Sequence, residues 1–210
     1  MPNSLELTLF GSPEVRSNGH VVTGFRTGKA QALLYYLAVT GRPHTRATLA
    51  GLLWGDQPET AARASLSKCL SNLHDLLGDA VLVERQTAAF NRNYPYQLDT
   101  EDFLAGVGAP PTAETVQRVQ AALALYRGDF LEGFYVREAP DFEQWLLTQR
   151  ARYREAMVNG LYGLATYAER QGDLPQAITH CRRLLMLEPW REEAHRQLIT
   201  LLARTGQRAA

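Results

Sequence analysis

From Glu59 to Leu77 the chain places Ala62, Leu66, Leu70, Leu73 and Leu77 three or four residues apart, the spacing of one buried stripe on an α-helix. Asp56 with Glu59 three residues on forms a capping-box pattern at its start, Pro58 is tolerated in the first turn, and Gly78 is a natural stop. Val81-Leu82-Val83 and Thr87-Ala88-Ala89-Phe90 follow, two extended stretches around Arg85-Gln86 that predict a β-hairpin. A long amphipathic helix running straight into a hairpin admits few folds, and the preceding residues narrow the choice. Ala30, Leu33, Leu34 and Leu37 predict a helix over 28–39, ended by Gly41 and Pro43. A short helix starts at the N-cap Thr45, carries Leu49, Leu52 and Leu53, and stops at Gly55. Before these, Leu5 to Phe10 alternates apolar and polar residues, and strand-like pieces near Glu14–Arg16 and Val21-Val22 flank the turn dipeptide Asn18-Gly19. That stretch predicts a small antiparallel sheet, to which Tyr96-Gln97-Leu98 adds a strand. Strand, three helices and hairpin is the order of a winged helix, whose third helix enters the major groove of DNA.

The character changes after Asp99. Gly106 to Thr112 reads as a linker, and everything beyond it as helical: one helix around Leu123, Leu125 and Tyr126 ended by Gly128, then a long one from Asp141 to about Gln171. Gly172 and Gly206 lie 34 residues apart, as do Leu164 and Leu198, which is the tetratricopeptide period. Leu198, Leu201 and Leu202 in the last helix are expected to bury against the preceding helices, since such hairpins need neighbours. The expected fold is α+β: a winged-helix domain over 1–105, then an all-α, tetratricopeptide-like domain over 113–210. The chain stops at Gly206-Gln207-Arg208-Ala209-Ala210, where a further repeat helix is expected, so it reads as a fragment of a longer protein.

Several function classes fall away. No GxxxxGK[ST] or GxGxxG cradles a nucleotide, and the five histidines sit in separate segments with no nucleophile motif beside them. Cys69 and Cys181 lack the spacing of metal ligands. No enzyme activity, cofactor or metal is expected. No apolar run is long enough to span a bilayer and the N-terminus Met1-Pro2-Asn3 lacks a secretory pattern, so no membrane association and a cytoplasmic location are expected. The net charge is zero, yet between Arg26 and Arg92 eight basic residues stand against five acidic ones. The zero total argues mildly against nucleic-acid binding, since phosphate needs local positive charge, and the excess in this stretch is real but modest.

With the leucines turned inward, the opposite face of the third helix presents Arg63, Ser67, Lys68, Ser71 and Asn72. Arginine and lysine contact guanine or phosphate, asparagine pairs bidentately with adenine, and serine is permissive. Arg85 lies at the hairpin turn and Arg46 at the N-terminus of the second helix, both placed for phosphate. These seven residues are the expected DNA-binding set. Asp75 beside them repels phosphate.

The motifs together resemble those of the SARP-type bacterial transcriptional activators, which join an OmpR-class winged helix to a bacterial transcriptional activation domain. The resemblance covers essentially the whole chain. It rests on Leu5 to Pro13, Lys29 before Leu33-Leu34-Tyr35-Tyr36-Leu37-Ala38, Arg46 with Leu49 to Trp54, and Ala62-Arg63-Ala64-Ser65-Leu66 before Leu70-Ser71-Asn72-Leu73. Leu98-Asp99 followed by Phe103, Tyr126 to Phe134, Phe142 to Trp145, and Gly172-Asp173 through Leu187-Glu188-Pro189 continue it. It implies sequence-specific binding of double-stranded DNA, commonly as paired subunits (a possible homodimer) on direct repeats, and recruitment of RNA polymerase. Members usually carry more arginine around the positions of Ser67 and His74, so the alternative is a protein–protein interaction module that has lost the DNA role.

Overall fold

The computed structural model describes residues 4–206. Met1-Pro2-Asn3, read above for a secretory pattern, and Gln207 to Ala210, read above as a cut-off repeat, lie outside the described residues. The chain divides into two compact units, one of Met1–Glu101 with Gly128–Arg150 and one of Asp102–Arg127 with Ala151–Ala210. The fold is α+β, as expected.

In the first unit, β1 (Leu5–Thr8) pairs antiparallel with β2 (Glu14–Ser17), and β2 with β3 (His20–Val21). Asn18 and Gly19, both at positive φ, make the turn between β2 and β3. The helices and the second sheet follow as α1 (Gly28–Thr40), β4 (His44–Thr45), α2 (Arg46–Trp54), α3 (Glu59–Leu77), β5 (Val81–Val83) and β6 (Thr87–Phe90), with β6 between β4 and β5. β7 (Tyr96–Leu98) then returns to the first sheet and pairs with the free edge of β1 in parallel, Leu5 opposite Tyr96 and Leu7 opposite Leu98. The sheet expected to be antiparallel is therefore mixed. Asp99, next in the chain, is buried and accepts hydrogen bonds from the backbone N–H of Leu9 at 2.9 and 2.8 Å and of Phe10 at 3.0 Å.

Local chemistry accounts for the helix starts. The Thr27 hydroxyl caps α1 by accepting from Ala30 N, and the Thr45 hydroxyl caps α2 by accepting from Thr48 N. The capping box expected for α3 is absent. The chain turns at 54–57, where Gln57 N donates to Trp54 O, so Pro58 is the N-cap and no side chain caps the helix. Glu59 becomes the first helical residue and pairs with Arg63 one turn on, at 2.6 Å.

α1 shows no single polar face: Tyr35 and Tyr36 are buried along with Leu33, Leu34 and Leu37. Residues 128–150 cover them. The Tyr35 ring meets Phe134 edge-on at 5.3 Å and Tyr36 meets Trp145 at 5.0 Å. This segment is also tied to the end of β1, through Gly11 N to Asp129 O, Leu131 N to Leu9 O and Glu132 N to Gly11 O. The Arg150 guanidinium closes it by donating to Phe130 O at 2.8 Å and Leu131 O at 2.6 Å. A single boundary between 105 and 113 thus does not separate the compact units. The aromatic residues of 128–150 complete the core around α1.

The second unit holds the end of α4 (Asp99–Val107), α5 (Val116–Leu125), the larger part of α6 (Pro140–Arg170), α7 (Leu174–Leu187) and α8 (Glu192–Arg204). Gly106, read as the start of a linker, is helical and buried. A Cβ there would lie 2.3 Å from that of Ala122, so glycine lets α4 and α5 approach closely. α7 and α8 pack together and onto α6 around Ala165, Ala168, Ala177, Ile178, Cys181 and Leu201, with Leu198 and Leu202 at the margin. Of the stripe expected to bury, Leu201 is buried and Leu198 and Leu202 are partly buried. Gly172 and Gly206 leave α6 and α8 at φ 80° and 73°, a left-handed exit repeated 34 residues apart.

Candidate nucleic-acid interface

α3 turns Leu66, Leu70, Leu73 and Leu77 into the first unit's core. Its other side leaves Arg63, Ser67, Lys68 and Ser71 exposed, together with His74 and Asp75. Asn72 does not belong to that face. It is 3 % exposed; its Oδ1 accepts from Arg26 N at 2.9 Å and its Nδ2 donates to Gly24 O at 3.3 Å. The loop before α1 lies across the flank of α3 where Asn72 emerges, and both ends of the amide are used to hold it. An adenine contact from Asn72 is ruled out by this geometry.

Four of the other expected residues converge. Arg46, Arg63, Ser67 and Arg85 line one concavity of about 480 Å³, with Thr45, Ala47 and Gln86. Pairing of β4 with β6 (His44 with Ala88, Thr45 with Thr87) is what carries the start of α2 against the hairpin turn. Ser71 lines the adjoining groove between α3 and β5, with Ser67, Leu70, His74 and the strand Val81-Leu82-Val83. Lys68 is exposed on the same helix.

The concavity is electropositive and partly self-engaged. One Arg46 terminal nitrogen donates to Ser67 Oγ at 2.7 Å and the other to Glu84 O at 3.4 Å, while Ser67 Oγ donates to Arg63 O at 2.9 Å. The Arg63–Glu59 pair is solvent-exposed, where an ion pair contributes roughly 0–1 kcal/mol and is easily exchanged for another anion. Asp75 is met by Arg26 at 3.9 Å, which tempers its repulsion of phosphate. Sequence reasoning missed Thr45, Ala47 and Gln86, whose place beside the arginines follows from strand pairing and not from any local pattern. Leu82 and Val83, 43 % and 40 % exposed, were read only as strand residues, and their exposure was the available sign of a surface role.

Among the described residues no three His, Cys, Asp or Glu side chains gather as metal ligands. Both cysteines are buried, and burial pushes their thiols up, Cys181 to about 11, which disfavours the nucleophilic thiolate. Among the described residues no helix is long and apolar enough to cross a membrane.

Comparison with known proteins bears on the whole chain. Residues 105–210 match the family model described as bacterial transcriptional activator domain. No curated protein matches the sequence. Among solved structures, Mycobacterium tuberculosis EmbR in complex with low affinity phosphopeptide superposes with a TM-score of 0.75 at 23% identity, over 98% of this chain and 56% of that one. This chain therefore spans a little over half the length of that relative, and the likeness concerns the fold: the α+β first part and the helical second part occur together in both. With the family model covering half the chain, the protein belongs to the bacterial transcriptional activator domain family, that of the SARP-type transcriptional regulators.

Proposed function

We propose that the chain binds double-stranded DNA sequence-specifically and activates transcription by recruiting RNA polymerase. On this reading residues up to about 105 read the DNA, and those from about 113 form a tetratricopeptide-like activation domain. The observation that carries it is the convergence of Arg46, Arg63, Ser67 and Arg85 on one concavity between α3 and the β5–β6 hairpin. α3 enters the major groove with Arg63, Ser67, Lys68 and Ser71, while Arg85 on the wing and Arg46 meet backbone. Paired subunits on a direct repeat double the contacts, and such a role belongs in the cytoplasm.

A second reading draws on one specific feature: Arg46 and Arg63 are engaged within the protein and Asn72 is buried, which leaves few free base-reading groups. In that case the same surface binds protein. Selection of bound duplexes from a random pool at near-physiological salt, followed by mobility shifts, decides between them. Lys68→Ala and Arg85→Ala should each lower the slope of log affinity against log salt by about 0.9, one phosphate's worth. A wild-type chain that retains no duplex at low salt would overturn the DNA reading in favour of the protein partner.

A further inference from the structure

We infer that Arg46 is a positioning residue that sets the separation of the recognition helix α3 from the wing, in addition to any phosphate it meets. The inference deepens the DNA-binding reading and rests on it for its consequence, but not for its geometry.

Arg46 is the first residue of α2 and is bonded to two other elements, the hairpin and α3. Its backbone N–H donates to Gln86 O at 2.9 Å, which anchors the start of α2 to the hairpin turn. Its guanidinium reaches Ser67 Oγ on α3 and the Glu84 carbonyl on the wing. Thr87 Oγ1 donates to the Glu84 carboxylate at 2.7 Å, and Glu84 N donates to Thr87 O at 2.9 Å, so the carbonyl that Arg46 grips belongs to a closed, internally bonded turn. On the other side, Ser67 Oγ is oriented by its own bond to Arg63 O. Both ends of the bridge are therefore held by bonds of their own, which lets a planar five-donor fork transmit position from one element to the other.

The concavity and the adjoining groove share two lining residues, Arg46 and Ser67. The bonded pair is thus the strut between the wing-tip pocket and the groove along α3. Base readout tolerates little misplacement, because a bidentate contact depends on angle as well as distance. Loosening the strut should cost discrimination between duplexes more than it costs attraction to phosphate. Lysine in place of Arg46 keeps the charge but exchanges the rigid planar fork for one ammonium on a flexible stem, which no longer fixes the separation of Ser67 and Glu84. Ser67→Ala removes the hydroxyl and leaves the arginine, while Ser67→Thr keeps the hydroxyl.

The test uses the full chain in two measurements. In the free protein, amide hydrogen exchange over residues 84–87 should quicken about threefold or more in Arg46→Lys and in Ser67→Ala, against wild type and Ser67→Thr, as expected when a local opening becomes easier. In binding, the affinity ratio of a duplex enriched by selection to a shuffled duplex should fall about fivefold or more in both variants, the size of one weakened base contact, with the salt slope unchanged in Ser67→Ala. Exchange at wild-type rates in both variants would overturn the strut whatever the DNA result. Faster exchange in a protein that binds no duplex would keep the strut and sink the DNA reading instead. If Ser67→Ala leaves both exchange and discrimination unchanged while Arg46→Lys alters either, Arg46 acts without Ser67 and the inference is wrong.

Discussion

Replacing Asp99 with alanine removes the carboxylate that accepts from two buried donors, the N–H groups of Leu9 and Phe10. Both residues are at most 1 % exposed, so solvent does not take over the role. A buried donor left unsatisfied costs about 1–3 kcal/mol, hence about 2–6 kcal/mol for the pair. Whole domains are stable by only about 5–15 kcal/mol, so this one carboxylate holds a sizeable share. Asparagine separates charge from hydrogen bonding. Its single oxygen, placed where Oδ2 stands, still reaches both Leu9 N and Phe10 N, but its amide nitrogen then stands where Oδ1 accepted from Leu9 N, so that bond is lost along with the charge assistance, about 1 kcal/mol each. The expected order is wild type, then Asp99→Asn lower by about 2 kcal/mol, then Asp99→Ala lower still. Urea unfolding followed by tryptophan fluorescence measures it, because Trp54 and Trp145 both report on the first unit. In a chain of this size each kcal/mol moves the melting temperature by about 2–4 °C, so calorimetry gives an independent reading. An alanine variant within about 1 kcal/mol of wild type, at unchanged urea dependence, would show that Asp99 does not hold the corner after β1.

Two further outcomes are expected. Burial lowers the pKa of His44 from 6.5, with Arg42 adding to the effect, while its ring nitrogen bonds Thr40 Oγ1 at 2.8 Å. A depressed histidine contributes stability that is present above its unfolded value and lost as pH falls through the folded one. Thermal melts should therefore fall more steeply below pH 6.5 for wild type than for His44→Gln; parallel curves would contradict this. His180 is lowered in the same direction by burial and keeps its own part of the decline in both proteins. Asn72→Ala should cost about 1–3 kcal/mol of stability by freeing the loop at Gly24–Arg26, and should leave adenine preference intact in selected duplexes. A loss of preference at one base position with unchanged stability would return Asn72 to the DNA face.

What was legible in the sequence was what local chemistry decides. The leucine stripe of α3, Gly78 after it, Thr45 as a cap and the hairpin around Arg85-Gln86 all depend on neighbours within a turn or two, and all appear. Asn72 failed for the opposite reason. On the helix surface it lies near the outward residues, and only a loop 46 residues away covers it. The aromatic run from Phe130 to Trp145 carried no sign of which helix it would meet, because burial against α1 leaves no periodic mark of its partner. Gly106 misled in a more ordinary way: glycines that permit a turn and glycines that permit close packing are the same letter.

The return of residues 128–150 to the first unit also sets a timetable. Tyr35 and Tyr36 are synthesised about a hundred residues before the Phe134 and Trp145 that cover them. At translation rates of about 5–20 residues per second, α1 leaves the ribosome some 5–20 s ahead of its own cover. Throughout that interval a nascent chain carries an aromatic helix face still without Phe134 and Trp145, the exposed apolar surface that chaperones recognise. A message cut short anywhere between residues 102 and 127 makes that interval permanent.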